Sequence, residues 1–257
     1  PVFASDDGDT IYINSVSDLL SLAKSCAYDQ WSVGKTVILQ KDLSLEGMLW
    51  EPIPSFSGQF KGNGHTISDL TITGQYSPAG LFGIVEEQGS IESLSVRGIV
   101  SVSDSADTTT GGIVGINHGT LINCQFTGVV TGDSEVGGIV GRNESEGTID
   151  HSTARAIVTG KSSTGGIAGY NLGAITGCTN VGSINTEYQE ASLDTDGFTA
   201  KMVDQINNKM AAADDDATNS VTNVATDTGG IAGRSSGMIL TSVNTCLLYT
   251  SPSPRDS

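Results

Sequence analysis

One short pattern occurs five times in this chain. Gly80-Leu81-Phe82-Gly83, Gly112-Ile113-Val114-Gly115, Gly138-Ile139-Val140-Gly141, Gly166-Ile167-Ala168-Gly169 and Gly230-Ile231-Ala232-Gly233 align, and each is followed by a polar turn and a further glycine, at Gly89, Gly119, Gly147, Gly173 and Gly237. Two residues past that glycine stand Ile91, Leu121, Ile149, Ile175 and Ile239. Five past it stand Leu94, Cys124, Ser152, Cys178 and Ser242. A third apolar run closes the first four units: Ile99-Val100, Val129-Val130, Ile157-Val158 and Ser183-Ile184. Each unit holds three short β-rich pieces, none long enough to fold alone. They become stable only when copies stack and equivalent positions pair. The repeat therefore predicts an all-β, right-handed parallel β-helix. A TIM barrel or doubly wound fold needs a helix after each strand, and these units leave no room for one. The glycines are expected at φ > 0 corners, with Asn117, Asn143 and Asn171 tolerating the same conformation at one shared corner.

The preceding residues read as the start of the stack. Ile11-Tyr12-Ile13 is a strand, and Ser17 is expected to cap a short amphipathic helix carrying Leu19, Leu20, Leu22, Ala23 and Ala27. Such a helix would cover strand edges that would otherwise invite pairing with another chain. Thr36-Val37-Ile38-Leu39, Phe60 and Ile67 through Ile72 supply irregular first coils, with Pro52 and Pro54 marking a loop between them. One unit is interrupted by an insert, residues 187–228, with 9 acidic and 2 basic side chains. Phe198, Met202, Ile206 and Met210 form a helical stripe within it, docked laterally. Per-repeat insertions map to loops, often on a binding face, so the insert is where a protein or cationic partner is expected first.

The two ends are expected to lie outside the fold. Residues 1–4 read as the remnant of a secretory signal. Residues 246–257, from Cys246-Leu247-Leu248-Tyr249 onward, resemble the translation of a sequencing adapter, with the natural chain expected to continue past Thr245. That leaves residues 5–245 as a single β-helix domain, with the repeats spanning about 80–245.

The Gly-Ile-Val-Gly-x-Asn…Gly-x-Ile…Cys pattern resembles the GLUG motif of bacterial secreted and cell-surface proteins. The earlier Phe56-x-Gly-x-Phe60-x-Gly-Asn-Gly-His65-Thr-Ile67 is similar to the early coil of pectate-lyase-like β-helices that carry such repeats. The resemblance covers roughly residues 35–245. It implies an extracellular repeat module, known from immunoglobulin-A-cleaving proteases and from surface proteins of unknown role. It carries no catalytic residue onto this chain.

Function is read mostly by exclusion. A net charge of −17 repels phosphate backbones, so nucleic acid is not an expected partner. No run approaches the roughly 18 apolar residues of a membrane span. None of His65, His118 and His151 begins a His-Glu-x-x-His zinc motif. Polysaccharide lyases need a carboxylate row with a basic residue. The outward positions, Glu92, Ile122, Asp150, Thr176, Leu240 and then Ser93, Asn123, His151, Gly177, Thr241, make no such row. Arg97, Arg142, Arg155, Lys161 and Arg234 do not share one position either. Glu92 and Asp150, two coils apart, could approach the spacing of a glycosidase pair. Gly111-Gly112 and Gly165-Gly166 lack the setting of a phosphate loop. Asp194-Thr195-Asp196-Gly197 is only part of a calcium loop. Cys124 and Cys178 share a position two rises of about 4.8 Å apart, too far for a disulfide. They are expected as unpaired thiols in an inward ladder, acting as small hydrophobes, and with Cys26 they leave an odd number of cysteines before residue 246.

No catalytic, cofactor-binding or metal residue is assigned, and no cofactor is expected. The reading is a non-catalytic scaffold, secreted or on the cell surface, presenting a long face to an extracellular protein or glycan. The alternative is a carbohydrate-active β-helix.

Overall fold

The computed structural model describes residues 9–28, 30–102, 108–185 and 226–245. The expectations for residues 1–4, for the helical stripe of the insert and for the 246–257 tail lie outside these described residues.

Among the described residues four walls form one stack, two of them eight strands long, and every pairing between strands is parallel. A single coil shows the path. Val136–Gly137 lies in a four-stranded first wall and Val140–Asn143 in a six-stranded second wall. Thr148–Asp150 follows in an eight-stranded third wall and Thr153–Thr159 in the fourth. The next coil repeats the path in register, Val136 opposite Thr164, Val140 opposite Ala168, Ile149 opposite Ile175 and Thr153 opposite Thr179. This is the parallel β-helix that the repeats predict. The corner between the fourth and first walls is where residues 103–107 and 186–225 join the stack. The return strand already begins at Thr226, inside the range expected for the insert.

Equivalent positions become columns. Ile91, Leu121, Ile149 and Ile175 are wholly buried on one line, as are Leu81, Ile113, Ile139 and Ile167 at the corner between the first two walls. The core changes character along the stack. Near its start Phe56, Phe60 and Phe82 pack with ring centroids 5.4–6.3 Å apart. Further on, the inward positions of the fourth wall shrink from Phe126 to Ala154 and then Asn180.

The N-terminal end is closed by the helix Val16–Ser25, which buries Leu19 and Leu22 in the core beside Ile11 and Ile13. Its cap is Ser15 rather than Ser17. The Asp18 N–H donates to Ser15 Oγ, and the Asp18 carboxylate takes the Asn14 N–H at 3.0 Å, a reciprocal arrangement that satisfies donors at the helix entrance. Pro54, expected in a loop, lies within the strand Ile53–Phe56. That strand forms the outer edge of the second wall, where a missing N–H costs no ladder bond.

The glycines and asparagines of the repeat have a different cause from the one expected. None of the repeated glycines has positive φ. The corner that does is Asn63, Ser93, Asn123, His151, Gly177 and Thr241, between the third and fourth walls. Glycine is needed elsewhere because coils pass too close for a side chain. A Cβ on Gly141 would sit 2.6 Å from the Thr110 nitrogen and 2.8 Å from the Gly115 oxygen.

Asn117, Asn143 and Asn171 occupy extended strand ends and point inward, fully buried. The Asn117 amide Nδ2 donates to Asn143 Oδ1 and the Asn143 amide to Asn171 Oδ1, each at 2.8 Å. Each amide also donates to a carbonyl of its own turn, Gly119, Gly147 or Gly173. Buried amides persist only when partnered in this way.

Two substitutions check these roles by urea unfolding. Gly141→Ala is expected to cost about 1–3 kcal/mol through overpacking. Asn143→Ala is expected to cost about 2–3 kcal/mol, because it strips a partner from both neighbouring amides. An alanine tolerated without loss at either position would contradict the packing described.

Candidate functional site

Stacking turns single outward residues into lines. On the third wall the line reads Lys61, Glu92, Ile122, Asp150, Thr176, Leu240. Glu92 and Asp150 do lie on one column, with the half-exposed Ile122 between them. Lys61 is the direct neighbour of Glu92. Both residues line a groove of about 440 Å³ along the positive-φ corner, with Asn63, Gly64, Ser93 and Asn123 completing it. The groove presents amides, a hydroxyl, one cation and one carboxylate, a set suited to hydrogen-bonding a polar ligand.

A second groove of about 530 Å³ lies at the corner between the second and third walls. Ser55, Ser57, Glu86, Glu87 and His118 are among its lining residues. Ser55 Oγ donates to Glu86 Oε1 at 2.7 Å, which fixes that carboxylate to the sheet.

The other histidines pair locally. His65 Nδ1 is 3.1 Å from Asp42 Oδ1, and His151 Nδ1 is 2.8 Å from Asp150 Oδ1. The Asp42 carboxyl is held below the usual range, chiefly by the Thr66 N–H and then by His65. Glu146 is lowered mainly by the Ser145 hydroxyl, with a minor contribution from His118. Among the described residues no three His, Cys, Asp or Glu side chains gather as a metal site. The Asp194-Gly197 segment lies outside them.

The arginines are more ordered than their spacing suggests. Arg97 and Arg155 flank Thr127 on one column of the fourth wall. Arg142 and Arg234 flank Tyr170 on the second wall, with the guanidinium carbons 5.2 and 5.3 Å from the ring centroid. Arg142 also contacts Glu135 at 3.0 Å and Glu144 at 2.6 Å. Linear spacing hides these columns because coil lengths differ. Register reveals them, with one uncharged residue always between like charges.

The Ser/Cys column is polar in use. The Cys124 N–H donates to Ser152 Oγ at 3.1 Å, the Ser152 N–H to Cys178 Sγ at 3.4 Å, and the Cys178 N–H to Ser242 Oγ at 3.2 Å. Each hydroxyl or thiol then donates to the carbonyl two residues back: Ile122, Asp150, Thr176 and Leu240. Cys124 and Cys178 are free and buried in the apolar core, as expected, and also hydrogen-bond between coils; Cys26 is free and buried as well.

Burial pushes the Cys124 thiol up to about 12 and the Cys178 thiol up to about 11. An unfolded thiol loses its proton near pH 8.5 and a folded one only above these values. The thiols therefore favour the native state fully below about pH 9, and that contribution is lost as pH rises through the folded values. A Cys124→Ser/Cys178→Ser variant is expected to fold like its parent at neutral pH. Its stability should fall less steeply above about pH 9 in denaturant titrations. Equal slopes would contradict the burial of these thiols.

Comparison with known proteins bears on one coil above all. The GLUG motif matches residues 132–159, which span one full turn of the stack through all four walls. The chain thus carries a GLUG motif on one turn of a parallel β-helix. It is 32% identical over 155 residues to halomucin of Haloquadratum walsbyi, a match covering 55% of this chain and 2% of that protein. It is 29% identical over 137 residues to a "Putative Gly-rich membrane protein" of Evansella cellulosilytica, covering 38% of this chain and 16% of that protein. The chain therefore matches only a small part of either relative. A crystal structure of a "putative immunoglobulin A1 protease" from Bacteroides ovatus aligns with a TM-score of 0.48 at 16% identity, covering 71% of this chain and 70% of that one. Among the described residues no helix is long and apolar enough to cross a membrane.

Proposed function

We propose that this chain is a non-catalytic scaffold segment of a secreted or cell-surface protein, a single domain over residues 5–245 that displays its outer columns to an extracellular protein or glycan. One contrast carries the reading. The inward column of the third wall keeps one character, Ile91, Leu121, Ile149, Ile175, while the outward line of the same wall changes at every step: Lys61, Glu92, Ile122, Asp150, Thr176, Leu240. The repeat thus fixes the frame and leaves each coil one free outward choice. The names of the two relatives, a halomucin and a Gly-rich membrane protein, fit an extracellular or membrane-associated setting. Polar contacts spread along a stack bind weakly one at a time and gain through repetition. The groove of Lys61, Asn63, Glu92, Ser93 and Asn123 is the first such contact, and the acidic insert is a second place for a partner.

Screening the protein against glycans, matrix proteins and polysaccharide substrates tests the proposal. Weak binding is expected, strengthened when the protein is presented in several linked copies. Lys61→Ala/Asn123→Ala should weaken glycan binding by about tenfold, a loss of roughly 1.4 kcal/mol. Cleavage of any substrate would favour the carbohydrate-active alternative. Silence toward every class would reduce the chain to a spacer.

A further inference from the structure

The outer face of the fourth wall has a chemistry of its own. Register sets Arg97, Thr127 and Arg155 in one outward column and Ile99, Val129 and Ile157 in the next. Val181, which follows Asn180, ends the first of these columns. Ile99 and Val129 are 5% exposed yet stand outside the continuous core, and Val181 is 41% exposed. Both arginines are exposed, and neither guanidinium has an ion-pair or hydrogen-bond partner among the described residues. From Ser95 onward the strands of this wall contain no Asp or Glu. A basic and apolar face thus lies on a chain of net charge −17.

The sequence supplies a matching segment at the edge of the same wall. Residues 186–225 follow directly on Ser183–Ile184 and Asn185, and they carry eight acidic and two basic side chains. Within them Phe198, Met202, Ile206 and Met210 recur at the spacing of one helix face, with Lys201, Asp204 and Asn208 on the opposite side. Asp194 and Asp196 precede this stripe, and Asp214, Asp215 and Asp216 follow it. At helical rise residues 198–210 measure about 20 Å. The column from Ile99 to Ser183 spans three rises, about 14 Å. The twelve residues before the stripe, 186–197, reach up to about 40 Å, enough to turn back over the wall. A segment tethered this closely acts at high effective concentration and outcompetes a separate acidic partner of equal affinity.

We infer that the outer face of the fourth wall is the docking surface for residues 198–210 of the same chain. The apolar stripe lies along Ile99, Val129 and Ile157, and the carboxylates flanking it lie beside Arg97 and Arg155. Docking removes apolar surface from water on both sides and gives the two arginines their counter-charges. It also turns Lys201, Asp204 and Asn208 outward, so a partner of the insert meets that polar side.

Trypsin reads the docking in the full chain through Lys201 and Lys209. Cleavage at these two residues is expected at least about tenfold more slowly than in a free peptide of residues 190–222. Arg97→Glu/Arg155→Glu should restore most of that loss, about tenfold faster cleavage, while the far-ultraviolet circular dichroism and melting of the stack stay those of the parent. Met202→Asp/Ile206→Asp, which alters no wall residue, should do the same. Cleavage of the parent at the rate of the free peptide would overturn the inference. Slow cleavage that the arginine variant leaves unchanged would overturn it too, because the segment then rests elsewhere. So would cleavage that the arginine variant speeds and the stripe variant does not, which would mean attraction without apolar docking.

Discussion

Everything in this molecule depends on the in-register parallel pairing of one coil with the next. At a rise of about 4.8 Å there is space between coils for backbone hydrogen bonds and little else. Each position therefore has its own equivalent as nearest neighbour. A side chain that fits is reused, and one that does not is excluded from every coil at once. At Gly115, Gly141, Gly169 and Gly233 a neighbouring backbone passes within 3 Å of where a Cβ would sit, so a side chain there would force the coils apart. Asn143 and Asn171 lie where an amide finds a donor in the preceding coil and an acceptor in the following one, and Asn117 starts that ladder. The alternation of Cys and Ser at 124, 152, 178 and 242 obeys the same rule. Either residue takes an N–H from the preceding coil and returns a proton to its own chain.

The stack is nevertheless graded. Its covered end holds the phenylalanines and the helix, and large rings there fill a wide section. Later coils substitute Ala154, Ala168 and Asn180 at inward positions, so ladder hydrogen bonds replace part of the apolar burial. Anchoring is thus concentrated near the N-terminal end, and the later coils rely on register for their order.

The repeat was fully legible in the sequence as a list of equivalent positions, and that was enough to specify a parallel β-helix. Equivalence does not say which way a residue points or which dihedral it adopts. Asparagine tolerates φ > 0, which suggests a turn at Asn143, yet its inward amide is what the position requires. The residues that do turn, Ser93, Asn123 and His151 among them, share no residue type from which the corner could be inferred. The long insert separates Arg142 from Arg234 in sequence, and Tyr170 joins them in space. The candidate grooves had the same difficulty. Lys61 precedes the regular repeats, and only the pairing of Gln59–Lys61 with Ser90–Glu92 sets it beside Glu92.

The corner between the fourth and first walls has an architectural consequence. Many residues separate Val102 from Thr110 and Asn185 from Thr226 in the sequence, yet Thr110 and Thr226 begin strands paired in register, while neighbouring coils cross the same corner within a few residues. Length at this one edge is decoupled from the order of the core. The row of crossings acts as a series of sockets, each able to accept a foreign segment without disturbing the coil that carries it. A lineage, or an engineer, could load such a frame one coil at a time, with the spacing between cargoes set by the rise of the stack.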